Sequence, residues 1–144
     1  MQSTEQLHPI PGSQVIIDAL FGSGLNRALE GLTASLVTHL NQSGNDKIAI
    51  DIPSGLFTDR SSKNAIAIRA QHTLSFQCYK PAFLFAENSE FTGELHLLEI
   101  GLDPVYYEQL QVQWEISDLS MIRSIYRPRK KFSHKGHYGH ALLA

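Results

Sequence analysis

Two short apolar runs, the β-branched Val15-Ile-Ile17 and Lys47-Ile-Ala-Ile50, each stop at an aspartate that is followed by a loop containing glycine. Continuous apolar runs of this length, bounded by turn residues, suit strands buried on both faces, and such strands belong to parallel sheets. Between them Leu29, Leu32, Ala34, Leu36, Val37 and Leu40 fall on one helical stripe, with Ser43 and Gly44 placed to end it. Strand, glycine loop, helix, strand and polar loop in that order describe a βαβ crossover. Parallel strands put Asp18 and Asp51 on the same sheet edge. The pattern predicts an α/β fold.

Further strands are predicted at His72 to Phe76, which alternates, and at Gly93 to Ile100. Pro81 to Phe91 reads as irregular or a short helix. Pro104 suits the first turn of a helix running to about Leu110, Val112 to Ile116 suits an edge strand, and Ser117 suits the cap of a turn containing Met121 and Ile122.

Charge divides the chain where the pattern does not. All 14 acids lie at or before Asp118, whereas six of the 12 Lys and Arg lie between Arg123 and Lys135, so residues 1–122 sum to -8 and the remainder to +6. That break predicts a boundary, with Arg127 to Lys131 as a linker. The overall charge of -2 supplies no bulk field for nucleic acid or an acidic membrane. No run approaches the ~18 consecutive apolar residues of a membrane span. The single cysteine, Cys78, cannot form an internal disulfide, and no apolar leader follows Met1, which together predict a cytoplasmic protein. Cys78 itself is expected to be a buried structural thiol without a role.

Ligands in an open parallel sheet bind outside the carboxyl ends of the strands. Asp18 is followed there by Phe21-Gly-Ser-Gly-Leu-Asn-Arg27, whose glycines permit positive φ and whose backbone N–H groups suit a phosphate. A plain glycine turn would look the same. In Asp51-Ile-Pro-Ser-Gly55 the proline and glycine fix the path between a carboxylate and a hydroxyl, which can then aim at one point. Such oxygens suit a hard cation or a proton exchange with a bound ring, or Asp51 simply caps its own turn. His134, His137 and His140 recur every third residue, but Gly136 and Gly139 and the lack of acid or thiol partners favour a solvated loop over a metal site.

The segments Val15 to Leu25, Ile48 to Leu56, Lys80-Pro81 and Gly93 to Leu102 together resemble the NAD(P)H-hydrate epimerase family, the YjeF N-terminal domain. Beyond them Lys131 to Ala144 looks like the opening strand and loop of the ADP- or ATP-dependent NAD(P)H-hydrate dehydratase often fused to it. The resemblance implies a Rossmann-like three-layer α/β/α fold with a mostly parallel sheet, incomplete at the N-terminus. Residues 1–122 would be a partial epimerase domain, and 123–144 a linker and the start of the dehydratase. It implies interconversion of the R and S forms of NADH-hydrate and NADPH-hydrate by a homodimer or higher oligomer. It further implies a potassium ion held partly by Asp18 and Ser54, and substrate binding by Gly22, Ser23, Gly24, Leu25, Asn26, Arg27, Ala28 and Asp51; inversion of the hydroxylated ring carbon then needs a proton shuttle, for which the Asp51 carboxylate is the candidate.

The family's asparagine- and glycine-rich loop, which also serves the potassium ion, has no counterpart before Asp18, so this chain is expected to be weakly active or inactive alone. Two other readings compete with the enzyme. A nucleotide- or protein-binding module could use the same crevice without turnover. A nicotinamide-dependent oxidoreductase would want a full glycine fingerprint and an acid ~20 residues beyond it, and neither is clear here.

Overall fold

The computed structural model describes residues 7–112 and 114–142, with the backbone alone for Tyr107 and Glu108. The chain forms two compact units, Met1–Pro104 and Val105–Ala144. Packing therefore divides the chain before the charge break at 122/123.

The first unit is built on a four-stranded parallel sheet of β1 (Ile16–Asp18), β2 (Lys47–Ile50), β3 (His72–Phe76) and β4 (Glu94–Leu98), lying side by side in chain order. The predicted βαβ unit is present. Helix α1 (Gly31–Gln42) joins β1 to β2 and stops at Ser43, with Gly44 beyond it at φ 69°. Asp18 stands opposite Ala49, and Ala49 opposite Thr73, so these three side chains share one face.

That face is the buried one. Every step along the sheet runs in the same direction, and parallel crossovers share one hand, so the three connections fall on a single side. Burial alternates accordingly, with Ala49, Thr73 and Ser75 wholly buried while Ile48, Ile50 and Leu74 between them are not. Two apolar clusters fill the covered side. Leu29, Val37, Ala49, Ile68 and Ala70 gather under α1, and Ile52, Leu56, Ala67, Ala82 and Phe91 lie beneath the later connections. On the other face Ile17 is 58% exposed, far more than a strand residue in a covered layer.

Side-chain amides from α1 and from the β3–β4 connection hold the long β2–β3 connection, which has no regular structure. Asn41 on α1 donates from Nδ2 to the Ala67 carbonyl and accepts at Oδ1 from Arg69 N–H, at 2.8 and 2.9 Å. Asn88, fully buried, accepts from Ser62 N–H at 2.9 Å and donates to the Ala82 carbonyl at 2.9 Å. Each amide meets backbone groups that no strand partner satisfies. The Pro81 to Phe91 stretch forms 3₁₀ turns at Pro81–Leu84 and Ala86–Asn88, then the single-turn α2 (Ser89–Thr92).

The second unit holds α3 (Pro104–Glu108, which begins at the boundary) and α4 (Leu119–Ile125), followed by a 3₁₀ turn at Lys135–Tyr138. Three expectations are corrected here. Val112 and Trp114 to Ile116 form no strand, because their apolar side chains are exposed and no sheet edge pairs with them, while Gln113 lies outside the described residues. The cap of α4 is Asp118 rather than Ser117, its Oδ1 accepting from Met121 N–H at 2.7 Å. Lys131 to Leu142 contains no strand, as an isolated strand has no partner for its hydrogen bonds, and Leu143 and Ala144 lie outside the described residues. No described helix is long and apolar enough to cross a membrane.

Gly93 starts β4 at φ 57°, and a Cβ there would overlap the Ala70 and Gln71 carbonyl oxygens. Gly93→Ala is therefore expected to cost about 2–3 kcal/mol in urea unfolding, whereas Gly12→Ala, with open space around it, changes stability by less than about 0.5 kcal/mol. The Met121 N–H holds the Asp118 carboxyl below its ordinary pKa. Its support of α4 is complete above the ordinary aspartate range and is lost as pH falls through the lowered value. The protection of the Met121 amide against exchange, taken relative to its intrinsic rate at each pH, should fall over that interval, and a flat protection profile would remove Asp118 as the cap.

Candidate functional site

The carboxyl ends of β1 and β2 are joined by a buried polar lock. Asp18 is 2% exposed and Ser54 1%. Ser54 N–H donates to Asp18 Oδ2 at 2.7 Å, and Ser54 Oγ donates to Oδ1 at 2.6 Å. The same hydroxyl accepts from Phe21 N–H at 2.9 Å, so one serine ties the strand end, the glycine loop and the β2 loop together. Among the described residues no basic side chain pairs with Asp18. A carboxylate offers about four acceptor positions and a hydroxyl two, so oxygen lone pairs remain here for a cation.

Ser54 reaches this position because the loop behind it is rigid. Ile52 and Pro53 are buried, and Gly55 adopts φ 100° with its α-carbon against Ile66 and Ala67, where a Cβ would strike the Ile66 carbonyl oxygen. Only glycine satisfies both conditions.

Asp51 faces different partners. Its Oδ1 accepts from Lys80 Nζ at 2.6 Å and from Phe76 N–H at 3.2 Å, with Ser75 Oγ at 3.5 Å. Lys80 Nζ also donates to Ser75 Oγ and to the Phe76 carbonyl, at 3.0 and 2.7 Å. The side chains of Lys80 and Asp51 are 13% and 17% exposed, so this pair is much less screened than a surface one. Asp51 has φ 67° and centres a three-residue turn in which Ile52 N–H donates to the Ile50 carbonyl. Gln77, at φ 62°, repeats that turn at the end of β3, with Cys78 N–H donating to the Phe76 carbonyl. Such turns are strained for residues other than glycine and concentrate at functional sites.

The expectation that the loop aims Asp51 and Ser54 at one point is thus corrected. The turn at Asp51 directs its carboxylate toward β3, while the buried Ile52-Pro53 step carries Ser54 back to β1. Both groups still stand at the carboxyl edge of adjacent strands.

The glycine loop lies at that edge as predicted. Gly22, Ser23, Gly24, Asn26, Arg27 and Ala28 are exposed, and Leu25 is half-buried against the α1 cluster together with Phe21. Gly22 and Gly24 do not use positive φ, and a Cβ on either would meet nothing within 4 Å, so neither glycine is required by local packing. The loop's carbonyls are held from outside. Thr58 Oγ1 donates to the Ser23 carbonyl at 2.8 Å, and Arg60, stacked 4.1 Å over the Phe57 ring, donates to the Asn26 carbonyl at 3.1 Å.

Thr58, Arg60 and Lys80 escaped the sequence reading. The first two sit in a segment legible only as a polar loop, and Lys80 was visible only as part of a Lys-Pro step. Cys78 is exposed rather than buried, since it follows the turn that ends β3. The rings of His134 and His137 stack at 3.9 Å between centroids.

A parallel sheet that presents a glycine loop and an acidic loop at one carboxyl edge defines an α/β protein of the class in which ligands bind outside the strand ends. The family model described as YjeF-related protein N-terminus matches residues 1–82, and the chain belongs to this family. It is 36% identical over 131 residues to the bifunctional NAD(P)H-hydrate repair enzyme Nnr of Vibrio cholerae, covering 91% of this chain and 26% of that protein. It is 37% identical over 129 residues to the enzyme of the same name from Thermofilum pendens, covering 90% and 24%. With the NAD(P)H-hydrate epimerase of Rhodopirellula baltica it shares 34% identity over 103 residues, covering 72% and 42%. The chain therefore spans about a quarter of the length of the bifunctional relatives.

Ser54→Ala removes one hydrogen bond from the buried Asp18 carboxylate and another from Phe21 N–H. It is expected to lower unfolding stability by about 1–3 kcal/mol. A loss below about 0.5 kcal/mol would mean that the lock does not form.

Proposed function

We infer that this chain supplies the carboxyl-edge half of an NAD(P)H-hydrate epimerase site, acting in repair of hydrated nicotinamide nucleotides. The observation that carries the reading is the buried Asp18 carboxylate, bonded to Ser54 but to no base among the described residues, beside an exposed glycine loop. The names of the relatives support the substrate class. Asp18 and Ser54 would hold a potassium ion, whose charge would steady the anionic part of the nucleotide when bound. Oxygen donors of this kind fit a hard cation. Backbone N–H groups from Gly22 to Ala28 would take the phosphates, where the missing side chains at Gly22 and Gly24 allow close approach.

Epimerisation inverts the hydroxylated ring carbon, so a bond there opens and re-forms on the other ring face. A proton moves in each direction. Asp51 would exchange it, with Lys80, which donates to Oδ1, as the positioning residue that leaves the other carboxylate oxygen for the proton. The positive φ of Asp51 supports this reading, since strained turns concentrate at functional sites. In this reading residues 1–122 belong to the epimerase and 123–144 to a linker and the opening of a dehydratase that uses ADP or ATP. The intact enzyme would be a cytoplasmic homodimer or higher oligomer.

The test follows hydrated NADPH with an epimer-resolving chromatographic assay and a thermal-shift measurement, in potassium and in sodium. Potassium-dependent stabilisation by the hydrate is expected, lost in Asp18→Asn. Turnover is read in the intact repair enzyme, because this chain alone is expected to be weakly active or inactive, and there Asp51→Asn should keep that stabilisation while reducing turnover by roughly 10²–10⁴-fold. Equal stabilisation in both salts, or unchanged turnover in Asp51→Asn, would contradict the assignment.

A further inference from the structure

The sheet carries a second cluster of ligating side chains at the other end of its strands. His72 opens β3, and Glu94 and His96 stand two residues apart on β4, which places both on one face. The register sets His72 opposite Glu94. His72 Nδ1 lies 3.1 Å from His96 Nε2 and 3.5 Å from Glu94 Oε2, and one ligand atom from each of the three residues lies within 4.8 Å of the others. Metal–ligand bonds of ~2.0–2.1 Å in a tetrahedron correspond to ligand separations of about 3.3–3.4 Å. The two short separations bracket that figure.

A neutral His72 has at most one proton on Nδ1, yet both His96 Nε2 and the Glu94 carboxylate approach that same atom. A single cation in their midst satisfies all three atoms together. We propose that His72, Glu94 and His96 form a binding site for a divalent transition metal, with zinc as its representative.

Two imidazoles and one carboxylate are donors for zinc and its neighbours, whereas magnesium, calcium and potassium favour oxygen alone. The His72 and Glu94 side chains are 45% and 68% exposed, so ions can enter and water can complete the coordination. The metal would cross-link β3 to β4. Because His72 and the carboxyl end of β3 are separated by four residues, about 13 Å, the site is separate from the one formed by Asp18, Ser54 and Asp51. The three histidines of the second unit, which the sequence made conspicuous, are not part of it.

The full 144-residue chain is titrated with zinc by calorimetry and with cobalt by visible absorption. One saturable equivalent with tetrahedral cobalt bands is expected at this site. His96→Ala should weaken binding roughly tenfold or more, and so should Glu94→Gln, an exposed change that leaves folding intact. A triple variant with alanine at His134, His137 and His140 should retain the site. Absence of saturable binding in the wild type, unchanged affinity in Glu94→Gln, or loss confined to the triple variant would each overturn the proposal.

Discussion

A carboxylate buried at the end of a strand has to be met by donors, and Asp18 is met by the backbone and side chain of Ser54. Burying an ionised group without such partners costs several kcal/mol, so the arrangement of the surrounding loops is fixed by that demand. Ser54 can answer it only if the β2 loop turns back toward β1. That return depends on Gly55 at positive φ beneath Ile66 and on the burial of Ile52 and Pro53. Phe21 N–H, bonded to the same hydroxyl, then brings the glycine loop to the edge where ligands bind. One polar contact thus organises three segments distant in the chain.

The same topology explains why chemistry gathers at one edge and cover at one face. Parallel strands in unbroken sequential order send all their connections to a single side, where α1 and the two amide-pinned loops bury Ala49, Thr73 and Ser75. The opposite face keeps Ile17 half exposed and carries His72, Glu94 and His96 in adjacent register. Stability is concentrated on one side of the sheet, and exposed ligating groups lie on the other.

Much of this was legible in the sequence because the physics there is local. The first two strands follow from short apolar runs rich in β-branched residues and the third from alternation, and the stop of α1 follows from a glycine suited to positive φ. The positions of Asp18, Asp51 and the glycine loop follow from strand ends. What escaped is what depends on contacts across the chain. The Lys80–Asp51 pair spans 29 residues, and Arg60 reaches Asn26 over 34. His72 meets His96 only because β3 and β4 pair in one particular register, which a list of histidines does not contain. The edge strand expected at Val112 to Ile116 failed for the complementary reason. Alternation prescribes a strand only where a neighbour supplies hydrogen bonds.

A cation and a nucleotide are proposed to share the edge organised by Asp18. Crystals grown with thallium in place of potassium and soaked with a nicotinamide nucleotide test this directly, since thallium scatters anomalously. The account predicts an anomalous peak coordinated by the Asp18 carboxylate and Ser54 Oγ, with the phosphates against the Gly22 to Ala28 backbone and the ring toward Asp51. A peak and nucleotide bound elsewhere on the chain, with the Asp18–Ser54 lock unchanged and unliganded, would contradict it.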